Sequence, residues 1–277
     1  MSSQPVFIPV GDLADGFAPD SHILPGTAVL QGRKFVLHFA DGSSASLQVG
    51  EQECQLTSLG QGSAEGFVGQ GAYRASSLRP GIVLLDFIPR QAHGHSLSLV
   101  LDLSAALFTA VAGQLPSAQE VAQSAFSRVN QGQELTAVRC QFAHGSLDQP
   151  LAANTPLHHV TDELLGLRNL YRYSPTECYE HIYLNSHFYT WQCLQGVEQG
   201  LADVDRCHYF KLDHELYLFV WREKIIPTLG VVLIDLQQLK TDGKIFGYQG
   251  NDFSAIANFP VGARTQILNR TSHPLHD

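Results

Sequence analysis

The chain has 277 residues, with 26 acidic against 17 basic side chains and a formal net charge of -9 at pH 7. No run of lysine or arginine is longer than two, which argues against nucleic acid as a partner, because that binding needs clustered cations to meet phosphates. Charged residues make up 16% and hydrophobic ones 44%, a balance that implies extensive internal surface in either two lobes or one large barrel.

No stretch of about 18 apolar residues occurs, so no membrane span is expected. The opening MSSQPVFIPVGDLADGF lacks the basic-then-apolar pattern of an export signal, and the chain reads as cytoplasmic. Cys54, Cys140, Cys178, Cys193 and Cys207 are odd in number and form no C-x-x-C pair. They read as buried thiols of a reducing compartment rather than disulfides or a zinc site. His93 with His95, and His158 with His159, lack a third ligand at recognisable spacing, so neither a metal nor a cofactor is expected.

Along the chain, RKFVLHFADGSSASLQ (33–48) places two β-prone runs around Asp41-Gly42, a dipeptide that accepts the positive φ of a tight hairpin. In GFVGQGAYRASSLRPGIVLLDFIPR (66–90), Arg79-Pro80-Gly81 separates two more such runs, and HSLSLVLDLS (95–104) is a further strand. SAQEVAQSAFSRVNQ (117–131) reads as a helix opened by a Ser117–Glu120 capping box. The polar segment from about Gly145 to Pro156 is the candidate linker, dividing the chain into residues 1–150 and 151–277. A second helix is expected from Thr161 in TDELLGLRNLYR, with Asp162 and Glu163 in its first turn.

The second half then repeats the order of the first: YEHIYLNSHFYTWQ (179–192), DRCHYFKLDHELYLFVWRE (205–223) and GVVLIDLQ (230–237). Tyr73 matches Tyr209, and Val100-Leu101-Asp102-Leu103 matches Leu233-Ile234-Asp235-Leu236, which indicates an internal duplication with loops of different length. By analogy with Asp41-Gly42, Asn185-Ser186 should turn the 179–192 hairpin. A two-residue loop pairs Tyr183 with Phe188 and His181 with Thr190 on one face, leaving Ile182, Leu184, His187, Tyr189 and Trp191 on the other. Asp102 and Asp235 read as acceptors at strand ends rather than as acids. Repeated antiparallel hairpins close best as barrels, so a mainly β protein with a few short helices is expected.

The segments FIPVGDLADGFAP, GAYRASSLRPGIVLLDFIP, YEHIYLNSHFYTWQC and HYFKLDHELYLFVWREKIIPTLGVVLIDL resemble the MoaF family over nearly the whole chain. The resemblance implies two lipocalin-like (calycin) β-barrels, and connects the chain by family name to molybdenum cofactor biosynthesis and, through one bacterial member, to a monoamine-inducible regulon. A more distant likeness joins GQGAYRASSLRPGIVLLDFIP and YLNSHFYTW to cofactor-free phenolic acid decarboxylases. Their catalytic glutamate falls on Gln70 and Arg206, neither of which is a carboxyl acid. Their paired tyrosines fall on Leu37 and Phe39 in the first half, but on His181 and Tyr183 in the second, where hydrogen bonding survives.

The second barrel is therefore the expected site. His181, Tyr183, Arg206 and His208 are the catalytic candidates, combining a proton carrier, a phenol and an anion-holding guanidinium. Strand alternation puts Arg206 and His208 on one face. Tyr189, Trp191 and Tyr209, with Gln70, Tyr73 and Arg74 in the first half, are the ligand-contact candidates. The leading expectation is a binding protein for a small aromatic or heteroaromatic molecule. A cofactor-free lyase or Pictet–Spengler-type synthase is the alternative, and a purely structural partner the third. Sequence leaves a homo-oligomer open.

Overall fold

A computed structural model of the chain describes residues 6–273. Two compact units emerge, each a closed eight-stranded antiparallel barrel. Where the linker reading divides the chain once, the units alternate along it: one holds residues 6–23, Pro116–Val138 and 160–273, the other Leu24–Leu115 and Arg139–His159.

The first barrel runs β1 (Lys34–Phe39), β2 (Ser44–Val49), β3 (Glu53–Ser58), β4 (Gly69–Arg79), β5 (Ile82–Phe87), β6 (His95–Asp102), β7 (Leu107–Gln114) and β8 (Arg139–Leu147) in meander order, with β8 closing on β1. The Asp41-Gly42 and Pro80-Gly81 turns form as read, with Gly42 at φ 87° and Gly81 at φ 84°. Period-two alternation sends Phe35, Leu37, Phe39, Leu47, Leu85 and Phe108 inward, so the interior is packed hydrocarbon. The expected linker begins later than Gly145, because Gly145–Leu147 still pair with β1. A Cβ at Gly145 would stand 2.0 Å from the His38 carbonyl oxygen, so the residue has a closure role.

The second barrel is preceded by α1 (Val10–Phe17), α2 (Ala118–Val121), α3 (Ala125–Asn130) and the two-residue β9 (His159–Val160). Its strands are β10 (Leu167–Arg172), β11 (Cys178–Tyr183), β12 (Phe188–Gln195), β13 (Ala202–Asp213), β14 (Leu216–Arg222), β15 (Thr228–Asp235), β16 (Lys240–Tyr248) and β17 (Ile256–Arg270). The sheet order β12-β11-β10-β17-β16-β15-β14-β13 closes through a β12–β13 pairing. The capping box at Ser117 and Glu120 is present, but the expected single helix is two, because Ser124 caps a new one by accepting from the Ser127 amide. The helix expected from Thr161 is a turn followed by β10. In that strand Leu167, Asn169 and Tyr171 are buried and the residues between them less so, a strand period that tertiary pairing with β11 and β17 enforces.

The matched sequences lie on corresponding strands: β1 with β11, β4 with β13, β6 with β15. The barrels reach eight strands differently, with β3 between β2 and β4 in the first, and β10 between β11 and β17 in the second. Asp102 accepts from the Ser104 and Ala105 amides and Asp235 from that of Gln238, both as strand-end acceptors. All five cysteines are free thiols. Among the described residues no helix is long and apolar enough to cross a membrane.

Candidate functional site

The hairpin β11–β12 turns through Leu184–His187 rather than through two residues. Asn185 Oδ1 accepts from the amides of both His187 and Phe188 at 2.9 Å, which widens the loop. The register is therefore Tyr183 opposite Tyr189 and His181 opposite Trp191. This corrects the expected split of the aromatics: the pairing moves by one residue, and a one-residue slip exchanges faces. His181, Tyr183, Tyr189 and Trp191 all point into the second barrel, with Tyr171, Tyr209, Phe219 and Trp221.

The interior holds a hydrogen-bonded cluster and a cavity. In the cluster, the Asn169 amide donates to Tyr171 Oη at 3.0 Å, the Tyr171 and Tyr183 hydroxyls lie 2.6 Å apart, and Cys207 Sγ is 2.9 Å from Tyr209 Oη. Burial keeps the Tyr183 phenol far above its ordinary pKa, so it acts there as a neutral hydrogen-bonding group. The cavity, of about 30 Å³, is bounded by rings (Tyr173, Tyr179, Tyr189, Trp191, Trp221), by Leu13 and Phe17 of α1, and by His181, Glu198 and Glu223. Helix α1 presents Val10, Leu13 and Phe17 on one side, and Phe17 meets Tyr173 at 4.7 Å and Tyr179 at 5.6 Å between ring centroids.

The polar groups of this cavity are costly in an aromatic core. Glu198 accepts from Tyr179 Oη at 3.2 Å, and Glu223 from Trp221 Nε1 at 2.9 Å. Burial pushes the Glu198 carboxyl up to about 7, and burial with the neighbouring Asp205 and Glu198 charges raises Glu223 well above the carboxylate range. His181 is caged by Tyr171 at 4.7 Å, Tyr189 at 5.2 Å and Phe219 at 6.0 Å, and its Nδ1 has no hydrogen-bond partner. Burial drives its pKa down to about 3, so the ring is neutral at pH 7.

These shifts set a pH dependence. The unfolded chain takes up a proton on His181 near 6.5 that the fold refuses until about 3, so stability falls as pH drops through that window. Glu198 works oppositely: the fold keeps a proton that the unfolded chain releases near 4.5, so stability falls as pH rises from there to about 7. His181→Gln is expected to flatten the acid limb. Urea midpoints at about pH 7 and about pH 5 measure it, and an unchanged difference between them would show that His181 does not contribute.

The other sequence candidates lie elsewhere. Arg206 and His208 do share a face, but it is the outer one, since Asp205, Cys207 and Tyr209 take the inward positions of β13. Arg206 pairs with Glu134, and His208 Nε2 lies 3.4 Å from Arg222 Nη2, so these two do not join His181 and Tyr183. In the first barrel, Gln70 donates to Glu53, Tyr73 to the Gly50 carbonyl, and Arg74 to Ser76 Oγ and the Leu24 carbonyl. Glu198, Glu223, Trp221 and α1 escaped sequence reading: the carboxyls come from a loop and a strand end with no local motif. For α1 the one local signal is the apolar spacing Val10, Leu13, Phe17, which fits a helix face. Among the described residues no group of three His, Cys, Asp or Glu is placed to hold a metal.

A family model described as the MoaF N-terminal domain matches residues 5–117, and one described as the MoaF C-terminal domain matches 158–271. Protein MoaF of Klebsiella aerogenes is 50% identical over 276 residues, 99% of each chain. A solved Burkholderia vietnamiensis structure, studied as a candidate beta-lactamase, covers 38% of this chain and 96% of its own at 10% identity and a TM-score of 0.34, too slight a likeness to carry an argument. With both domain models in place and a full-length relative at half identity, the chain belongs to the MoaF family.

Proposed function

We propose that the second barrel binds a small aromatic molecule bearing a cationic amine. The observation that carries this reading is the placement of Glu198 and Glu223 in a cavity walled mainly by rings. Two carboxyls among aromatic rings suit an ammonium group, which gains from both ion pairing and cation–π attraction. The cavity of about 30 Å³ has room for the ammonium or a water. The ligand's ring takes the place of Leu13 and Phe17 as α1 moves aside. Of the two associations implied by family resemblance, molybdenum cofactor biosynthesis and monoamine metabolism, this chemistry accords with the second. In this reading the protein works in the cytoplasm.

A second reading is favoured by one observation: a neutral imidazole and a carboxyl near neutrality border the same cavity, the pairing that general acid–base chemistry uses. It is a cofactor-free lyase or Pictet–Spengler-type synthase acting by proton transfer on an aromatic acid or amine. Native mass spectrometry of the full chain recovered from its own cytosol, followed by identification of released small molecules, tests the binding reading, with a stoichiometric aromatic amine expected. Turnover of phenolic acids, or of an arylethylamine with an aldehyde, that is abolished by His181→Ala would replace binding by catalysis.

A further inference from the structure

We propose that the outer face of the second barrel carries a separate site for a small carboxylic acid, at the guanidinium pair Arg206 and Arg222, which Glu134 fills as the chain's own substitute. Arg206 on β13 and Arg222 on β14 are direct register partners. Like charges placed opposite one another on adjacent strands repel, so the arrangement needs an anion between them. Glu134 supplies it: Oε1 accepts from Arg206 Nε at 3.0 Å and Arg222 Nη2 at 3.2 Å, and Oε2 from Arg222 Nη1 at 2.7 Å. This is the forked geometry by which arginine recognises carboxylates.

Three features distinguish the pair from a simple structural ion pair. Two guanidiniums share one carboxylate, while the nearby Lys224 is committed to Asp203 and Asp205. The Arg222 side chain is only 7% exposed and its Nε lacks a partner, so a buried donor is still unfilled. Glu134 is the exposed member: its side chain is 48% exposed, and it sits in the irregular stretch between α3 and β8, so solvent reaches the carboxylate from one side. Beside the fork is a cavity of about 100 Å³ whose apolar wall includes Leu135, Phe188 and Val204. The Phe188 ring centre lies 5.9 Å from the Arg206 guanidinium carbon. A carboxylate on a small apolar or aromatic body would take the Glu134 position and lay that body in the cavity.

Calorimetric titration of the full chain with benzoate, and with benzamide as the uncharged control, tests this. Glu134→Gln is expected to bind benzoate at least about tenfold more tightly than the natural chain, because the internal competitor loses its charge. Adding Arg206→Gln should abolish that binding, and benzamide should bind none of the proteins. Equal benzoate affinity with and without Glu134, no benzoate binding, or equal binding of benzamide overturns the proposal. Should Glu134→Gln fail to fold, the arginine Nε–H resonances of the natural chain decide: benzoate must shift those of Arg206 and Arg222, and unmoved resonances at saturation reject the site.

Discussion

Gly230→Ala is expected to destabilise the protein by about 3 kcal/mol, at the upper end of what overpacking a core costs. Gly230 on β15 is the register partner of Trp221 on β14, and the indole lies flat over it. A Cβ there would stand 2.2 Å from three atoms of the indole's six-membered ring, so a rigid side chain must move rather than a flexible tip. The displaced ring would lose its stack on Phe219, now at 5.4 Å between centroids, and the bond from Nε1 to Glu223. Gly230 is thus the backbone approach that lets a tryptophan line this barrel. The matching control is Gly250→Ala, where nothing lies within 4 Å of the added carbon and stability should stay within about 0.5 kcal/mol. Urea unfolding monitored by near-ultraviolet dichroism distinguishes the two. Equal midpoints would show that the Trp221 packing is not what Gly230 serves.

The second large effect concerns binding. Glu223→Gln is expected to weaken phenethylamine binding by about a hundredfold, the loss that follows when a buried ammonium keeps its cavity but not its countercharge. The affinity of the natural chain should rise from about pH 6 to about pH 8, since the empty site holds protons on both Glu198 and Glu223 that an incoming cation must displace. Phenethyl alcohol, of nearly the same shape but uncharged, should bind weakly and without that pH dependence. Calorimetry at both pH values gives affinity and proton release together. An alcohol that binds as well as the amine would remove the role assigned to the carboxyls.

The barrel strands were legible wherever a hairpin carried its own turn chemistry, as at Asp41-Gly42 and Pro80-Gly81. Asn185 shows the limit of that logic. The residue type announced a turn, but the two amide hydrogen bonds that fix its length, and with it the face of every aromatic, appear only once the loop is folded. Leu167–Arg172 shows another limit, since a segment with acidic residues before it reads locally as a helix and becomes a strand because two neighbours pair with it. Alternation correctly put Arg206 and His208 together, yet alternation does not say which face is inside. That is settled by Cys207 and Tyr209, which bury their side chains between them. Glu198 and Glu223 are polar residues near strand ends like many others, and only closure of the barrel brings both to the cavity that His181 also lines.

The most direct measurement uses the two tryptophans of the chain, Trp191 and Trp221, both of which line the cavity. Titration with phenethylamine while tryptophan emission is recorded should give a saturable, single-site change that Glu223→Gln weakens in step with calorimetry. Calorimetric binding with no change in emission, or no binding at all, would contradict a ligand site inside the second barrel.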